Sequence, residues 1–346
     1  MTDNRQVKDQ NKVKILVFIF FGVFVLFLIN ISVGSVNIPL KEVLRIIFSP
    51  GIENQAWTNI IIKSRIPEAI TASLAGAGLA VGGLLMQTLF RNPLTGPSIL
   101  GISSGAGLGV AFIMLFMGGQ AGVLLSGVSF LAKISSVLAA SAGAILVLFL
   151  ILFLARKVKD NVMLLIIGIM VGYISSALVG VLNYYGMQEN VHSFVLWGLG
   201  SFSNITWSQM QIFIPSIIIG LSFSFLLIKA LNMLILGENY ARNLGLDINK
   251  ARTYIIICTG FLTAVITAFC GPIAFLGLAV PHISKLLLKS SNHKVLVPAV
   301  ILTGALLALF CNLVAKLPGF EGALPINAVT SLIGAPVVIL IIMRKK

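Results

Sequence analysis

The chain has 346 residues, 58% of them hydrophobic and 10% charged, with a mean hydropathy of +1.05 and a formal net charge of +14. A soluble domain carries about 25% charged residues, so water is not the main solvent of this protein. The cation surplus therefore has to be read from where it falls along the chain, before any nucleic-acid or acidic partner is considered.

Ten apolar segments follow one another, at residues 15–34, 68–90, 97–117, 130–155, 161–185, 207–229, 253–271, 273–289, 296–315 and 325–343. Most have about 17–25 residues, enough to cross a hydrocarbon core of about 30 Å. The reading is an all-α, polytopic membrane protein with about ten transmembrane helices, forming one domain over residues 1–346. Residues 1–14 form a short polar tail. The apolar run behind it exceeds the roughly 7–15 residues of a secretory signal core and no small-residue cleavage site follows, so it reads as a first span. Pro39 to Phe48 places apolar residues at helical spacing opposite charges, which predicts a helix lying on the membrane surface. His192 to Phe202 is expected to form a short helix or re-entrant turn. The eighth segment is short and is entered through Gly271-Pro272.

With the N-terminus placed in the cytoplasm, the inner connections hold 18 Lys and Arg and the outer connections 6, while the ten acids divide 5 and 5. That is the positive-inside bias, and it accounts for the net charge without a nucleic-acid face. Both termini are then cytoplasmic. Trp57, Trp197 and Trp207 fall in or beside outer connections, where aromatic rings suit the headgroup level.

Glycines recur at intervals of four at Gly78/Gly82, Gly101/Gly105/Gly109 and Gly168/Gly172, a spacing that lets helix backbones approach closely. The Gly101–Gly109 run, beside Ser103 and Ser104, is also the candidate to line a passage. Segments two to five and seven to ten start from opposite faces, as inverted repeats would.

Absent motifs narrow the chemistry. There is no G-x-x-x-x-G-K-[ST], so this chain has no Walker cradle for nucleotide phosphates. No H-E-x-x-H occurs, His192, His282 and His293 are far apart, and Cys258, Cys270 and Cys311 lack C-x-x-C spacing. Neither a metal site nor a resident cofactor is expected. Gly101-Ile102-Ser103-Ser104-Gly105 matches G-x-S-x-G, but that motif needs a strand–turn–helix setting. An intramembrane serine hydrolase using His282 is one alternative. A secondary transporter is another, although the spans hold almost no ionisable residues away from their ends to bind a coupling ion. Energy is expected from a cytoplasmic partner. The inner connection at 237–250 offers a contact for it: Glu238 to Leu244 reads as a short polar helix, with Gly245 as a left-handed stop.

Several blocks carry a family likeness: Arg65-Ile66-Pro67, Leu89-Phe90-Arg91-Asn92-Pro93-Leu94, Gly101 to Gly109, Gly237 to Gly245, Gly271 to Ile283 with Ala279-Val280-Pro281-His282, and Leu324-Pro325 with Gly334-Ala335-Pro336. Together they cover nearly the whole chain. It resembles the FecCD-type permeases of ABC importers, which carry iron chelates, haem and vitamin B12. The resemblance implies a vitamin B12 importer permease-like fold in the cytoplasmic (inner) membrane, and a transport subunit that is not itself an enzyme. It implies a second permease copy or paralogue around a central passage, two ATP-binding cassette subunits that use the ATP, and an extracytoplasmic substrate-binding protein. The cargo it implies is an iron chelate (siderophore or haem), with vitamin B12 as the alternative. Residue by residue, it assigns ATPase coupling to Glu238, Ala241, Arg242 and Gly245. The translocation path is expected at Asn92, Pro93, Gly101, Ser103, Ser104, Gly105 and Gly109; the resemblance assigns binding-protein docking to Arg65 and Lys316, with Glu68 at the same surface in place of a usual cation. The chain departs from the family pattern at Glu68, Asn312, Lys316, Ala323 and Asn327, positions that cluster toward the outer face.

Overall fold

The computed structural model describes residues 2–34, 36, 38–48, 55–116, 129–158, 160–316 and 324–343. Lys159, Ala323 and residues 344–346 lie outside these, as do the side chains of Arg5, Lys8 and Lys133. The described elements are all helical: α1 (Thr2–Ser32), α2 (Leu40–Phe48), α3 (Gln55–Ile60), α4 (Ile66–Leu89), α5 (Ile102–Ala111), α6 (Ser129–Lys157), α7 (Asn161–Tyr185) and α8 (Gln188–Gly198) come first. They are followed by α9 (Trp207–Leu226), α10 (Ile228–Ile235), α11 (Glu238–Asn243), α12 (Ile248–Cys270), α13 (Leu276–Leu288), α14 (His293–Ala315) and α15 (Ile326–Met343). Among the described residues, seven helical stretches are long and apolar enough to span a membrane, and three shorter apolar helices, at Ile102–Phe116, Leu276–Leu288 and Ile326–Leu340, join them. These correspond one for one with the ten expected segments.

Burial sets the hierarchy. The stretch containing α4 is 83% buried in its most apolar window, against 17% for the first span. α4 is therefore the hub, packed against α9, α12, α13 and α14. Its small residues allow this: a Cβ built on Gly76 would sit 2.3 Å from the Gly304 carbonyl oxygen, and one on Gly83 1.6 Å from that of Gly277. Helices in lipid associate through such close packing, because lipid tails solvate large apolar side chains as well as a neighbouring helix does.

The surface helix expected at 39–48 is α2, which turns Val43 and Ile46 inward while Lys41 and Arg45 stay out. The short helix expected near Trp197 is α8. Pro272 opens an unwound stretch that leads through Phe275, at φ 65°, into α13. Asn327 Oδ1 accepts from the Ala274 amide at 3.0 Å, and the Asn327 amide donates to the Leu199 carbonyl at 3.2 Å. This departure from the family pattern thus pins the break to α15 and to the end of α8.

Candidate functional site

The connection at 237–250 folds as its residues dictate. Gly237 (φ 112°) precedes α11, and Gly245 (φ 85°) follows it. The Leu246 amide donates to the Ala241 carbonyl at 3.0 Å and the Gly245 amide to the Arg242 carbonyl at 2.9 Å. This is the paired closure of a Schellman stop, which needs a left-handed residue at the position Gly245 holds. Ala241 is fully buried beneath the helix. Asp247 then caps α12 through the Lys250 amide at 3.1 Å, and that bond holds its carboxyl below the ordinary carboxylate range. The element is a stiff knob between two fixed turns.

Glu238 is where that knob joins the body. Its carboxylate accepts from Asn161 Nδ2 at the start of α7 and lies 3.9 Å from the Arg252 guanidinium of α12. Asn161 Nδ2 also reaches the Leu89 carbonyl at the end of α4 (3.2 Å), and Arg252 donates to the Val158 carbonyl (2.9 Å). One short helix is thereby tied to α4, to the α6–α7 connection, to α7 and to α12. Beside it opens a cleft of about 740 Å³ edged by Arg91, Asp160, Glu238, Tyr240 and Asn243. Leu94, Tyr240 and Leu244 are about half exposed on this end.

Asn92 and Pro93 form the turn next to that cleft. Asn92 Oδ1 accepts from the Leu94 amide at 2.9 Å, and the Thr95 hydroxyl donates to the Asn92 carbonyl at 2.8 Å. His282 Nε2 bonds the Pro93 carbonyl at 2.8 Å, so the histidine anchors this turn to α13. Ser103 Oγ instead lies 3.2 Å from Thr267 Oγ1, a hydroxyl neighbour and not the imidazole that a hydrolase dyad would require.

The glycine run divides. Gly105 and Gly109 sit in the seam between α5 and α6: a Cβ on Gly105 would lie 2.7 Å from the Gly143 carbonyl oxygen, and one on Gly109 2.1 Å from that of Ala139. Gly101, in the left-handed region at φ 75°, packs on Gly168 and Gly172 of α7. The residues of this run left partly open are Ser103, Ser104, Gly107, Leu108 and Gly109. The four-residue glycine spacing here is first of all a helix seam.

Arg65, Glu68 and Lys316, which the resemblance assigns to binding-protein docking, come together inside the chain. Lys316 Nζ lies 2.7 Å from Glu68 Oε2, with both side chains about nine-tenths buried. Burial pushes the Lys316 ammonium below its ordinary range, and Glu68 opposes that shift. Arg65 is 4% exposed and donates to the carbonyls of Ile31 (2.9 Å), Ser32 (2.7 Å) and Val36, closing the C-terminus of α1. Nearby, Asn312 Nδ2 donates to Asn30 Oδ1 at 3.0 Å, which ties α14 to α1. The cations that sequence reasoning offered to an outer partner thus bind this chain's own carboxylate and carbonyls. Asn161, Arg252 and Asn30 were not singled out from the sequence. Their partners lie 77, 94 and 282 positions away, and no local pattern links them.

Comparison with known proteins gives concordant results. The model of the FecCD transport family matches residues 22–344. The vitamin B12 import system permease protein BtuC of Klebsiella pneumoniae subsp. pneumoniae is 36% identical over 287 residues, covering 83% of each chain. BtuC of Salmonella choleraesuis is 36% identical over 281 residues, covering 81% of this chain and 82% of its own. A solved structure described as a metal-chelate type ABC transporter in an inward-facing conformation superposes with a TM-score of 0.82 at 29% identity, covering 96% of this chain and 99% of that one.

Proposed function

This chain belongs to the FecCD transport family and is the membrane permease of an ABC importer, and we propose that its cargo is an iron chelate, a siderophore or haem. The observation that carries the cargo reading is the superposition, over nearly the whole of both chains, on a metal-chelate type transporter. Vitamin B12, itself a bulky metal chelate, is the second reading, and the Klebsiella and Salmonella relatives favour it. Uptake of labelled iron siderophore, haem and cobalamin in cells whose only FecCD-type permease is this chain separates them. Cobalamin uptake without iron uptake overturns the first reading.

In this reading two ATP-binding cassettes dock on the cytoplasmic end, a second permease completes the passage, and a binding protein delivers cargo from outside. Both termini face the cytoplasm. The half-exposed Leu94, Tyr240 and Leu244 stand where water would otherwise meet apolar side chains, and a cassette surface covers them. Closure of the cassettes pushes on α11. Because Glu238 bonds Asn161 and lies beside Arg252, the push reaches the first turns of α7 and α12. These are the helices that flank Ser103 and Ser104, through Thr267 and Gly172. The path at the inner mouth runs past Asn92 and Pro93.

Gly245 tests this coupling role. A Cβ there meets nothing within 4 Å, so a substitution acts only through the backbone at φ 85°. Gly245→Val is expected to strain the stop by about 1–2 kcal/mol, giving an inserted, folded chain with reduced uptake and an ATPase that no longer responds to the binding protein. Gly245→Asn, which tolerates left-handed geometry, retains most of both. Normal transport and normal ATPase stimulation in the valine variant would remove the loop from the coupling machinery.

A further inference from the structure

At Leu227 the chain leaves the transmembrane helix α9 and turns into α10, a short amphipathic helix that leads directly to α11. α10 buries Leu231 and Leu234 against the body and leaves its other flank open. Between that flank, the end of α9 and the start of α14 runs a groove of about 650 Å³. Its walls are apolar, with Phe225, Leu226, Met233 and Leu236 among them, and two cations, Lys229 and Lys294, stand at its edge. Among the described residues, no acidic one lines it.

The two cations sit on different helices, and those helices are tied to each other. Asn232 of α10 accepts at Oδ1 from the His293 amide at 2.9 Å and lies 3.1 Å from His293 Nδ1. Its Nδ2 donates to Asn292 Oδ1 at 3.2 Å, the same oxygen that caps α14 through the Lys294 amide at 3.0 Å. His293 is held from behind by Thr88 at 3.0 Å. A hydrogen-bonded clamp thus locks α10 to the first turn of α14, with one lysine on each side of it.

We propose that this groove binds an anionic phospholipid of the cytoplasmic leaflet. The phosphate lies between Lys229 and Lys294, and an acyl chain lies along Phe225, Leu226 and Met233. Charge complementarity and position both support a lipid as the occupant. The groove continues the exposed flank of α9, where Ile218, Ile219 and Leu226 stand open on a helix long and apolar enough to cross a membrane. Lys229 follows the end of that span and Lys294 stands in the first turn of another, and basic pockets between spans on the cytoplasmic side of a membrane hold acidic headgroups. The proposal rests on the cytoplasmic placement of this end, though not on the identity of the cargo. A lipid held here braces α10, and α10 carries the coupling helix α11. The lipid would therefore tune how firmly cassette motion is passed on.

The test is native mass spectrometry of the full-length chain, purified in mild detergent with phosphatidylglycerol or with phosphatidylcholine of the same acyl chains. The wild type is expected to retain phosphatidylglycerol in preference to phosphatidylcholine. Lys229→Gln and Lys294→Gln should each lower that retention about fivefold. The conservative pair Lys229→Arg and Lys294→Arg should keep it, as should the control pair Arg156→Gln and Lys157→Gln at the end of α6. Unchanged retention in Lys229→Gln/Lys294→Gln, or an equal loss in the control pair, overturns the site. If the glutamine pair instead abolishes co-purification of the cassette while lipid retention stays level, the groove belongs to a protein partner and the proposal fails. None of these results depends on which chelate is transported, so a wrong cargo and an absent lipid site give different outcomes.

Discussion

Lys316→Glu is expected to deplete the folded, membrane-inserted chain, an effect far larger than slowed docking of an outer partner. The substitution places a second carboxylate where Lys316 Nζ now lies 2.7 Å from Glu68 Oε2, with little water at hand. Removing one member of a buried pair costs about 3–5 kcal/mol, and a like charge adds to that until one carboxyl takes up a proton. The damage spreads because Arg65, one helical turn before Glu68, closes the end of α1. The exchanged pair Glu68→Lys/Lys316→Glu restores opposite charges and should recover most of the lost stability. Thermal unfolding in detergent, followed by fluorescence-detected size exclusion, should rank wild type above the exchanged pair, and the exchanged pair above Lys316→Glu. A Lys316→Glu chain that melts with the wild type and only binds its outer partner more slowly would return these residues to a docking surface. That docking role is the one the family resemblance assigns to them.

Gly105→Leu should fail in assembly before it fails in transport. Even the first carbon of the new side chain would lie 2.4 Å from Val147 Cγ2 and 2.7 Å from the Gly143 carbonyl oxygen. Backbone cannot rotate away as a side-chain tip can, so α5 and α6 must separate. Overpacking of this kind typically costs about 1–3 kcal/mol, and occasionally more. Gly107→Leu is the informative contrast, because the nearest atom to a Cβ there is in the Trp197 ring at 3.9 Å. That variant should insert, fold and assemble, and uptake should drop if this flank faces the cargo. A Gly105→Leu chain that assembles normally yet transports nothing would put the glycine on the passage and overturn the seam.

The span count was legible in the sequence because a bilayer imposes one length on every crossing helix. That requirement shows in composition alone, down to the short eighth segment after Pro272. The stop at Gly245 was equally legible, since a left-handed residue after a polar helix is a local demand. Asn92 and Pro93 announced a turn, but not that His282 would hold it, 189 positions away.

What the sequence by itself determined is thus whatever depends on neighbours along the chain: ten apolar helices, the uneven division of cations between alternate connections, the amphipathic helix α2 and the capped short helix α11. Only the tertiary structure decided which equivalent-looking residues meet one another. It turned Gly105 toward α6 while leaving Ser103 beside Thr267, and it paired Lys316 with Glu68 inside the chain. It also joined Glu238 to Asn161, and Asn232 to His293. The physical reason is that helical spacing defines which residues share a face, but not what that face meets. A buried charge or amide takes whichever partner packing brings within about 3 Å, and packing is settled by helices far apart in sequence.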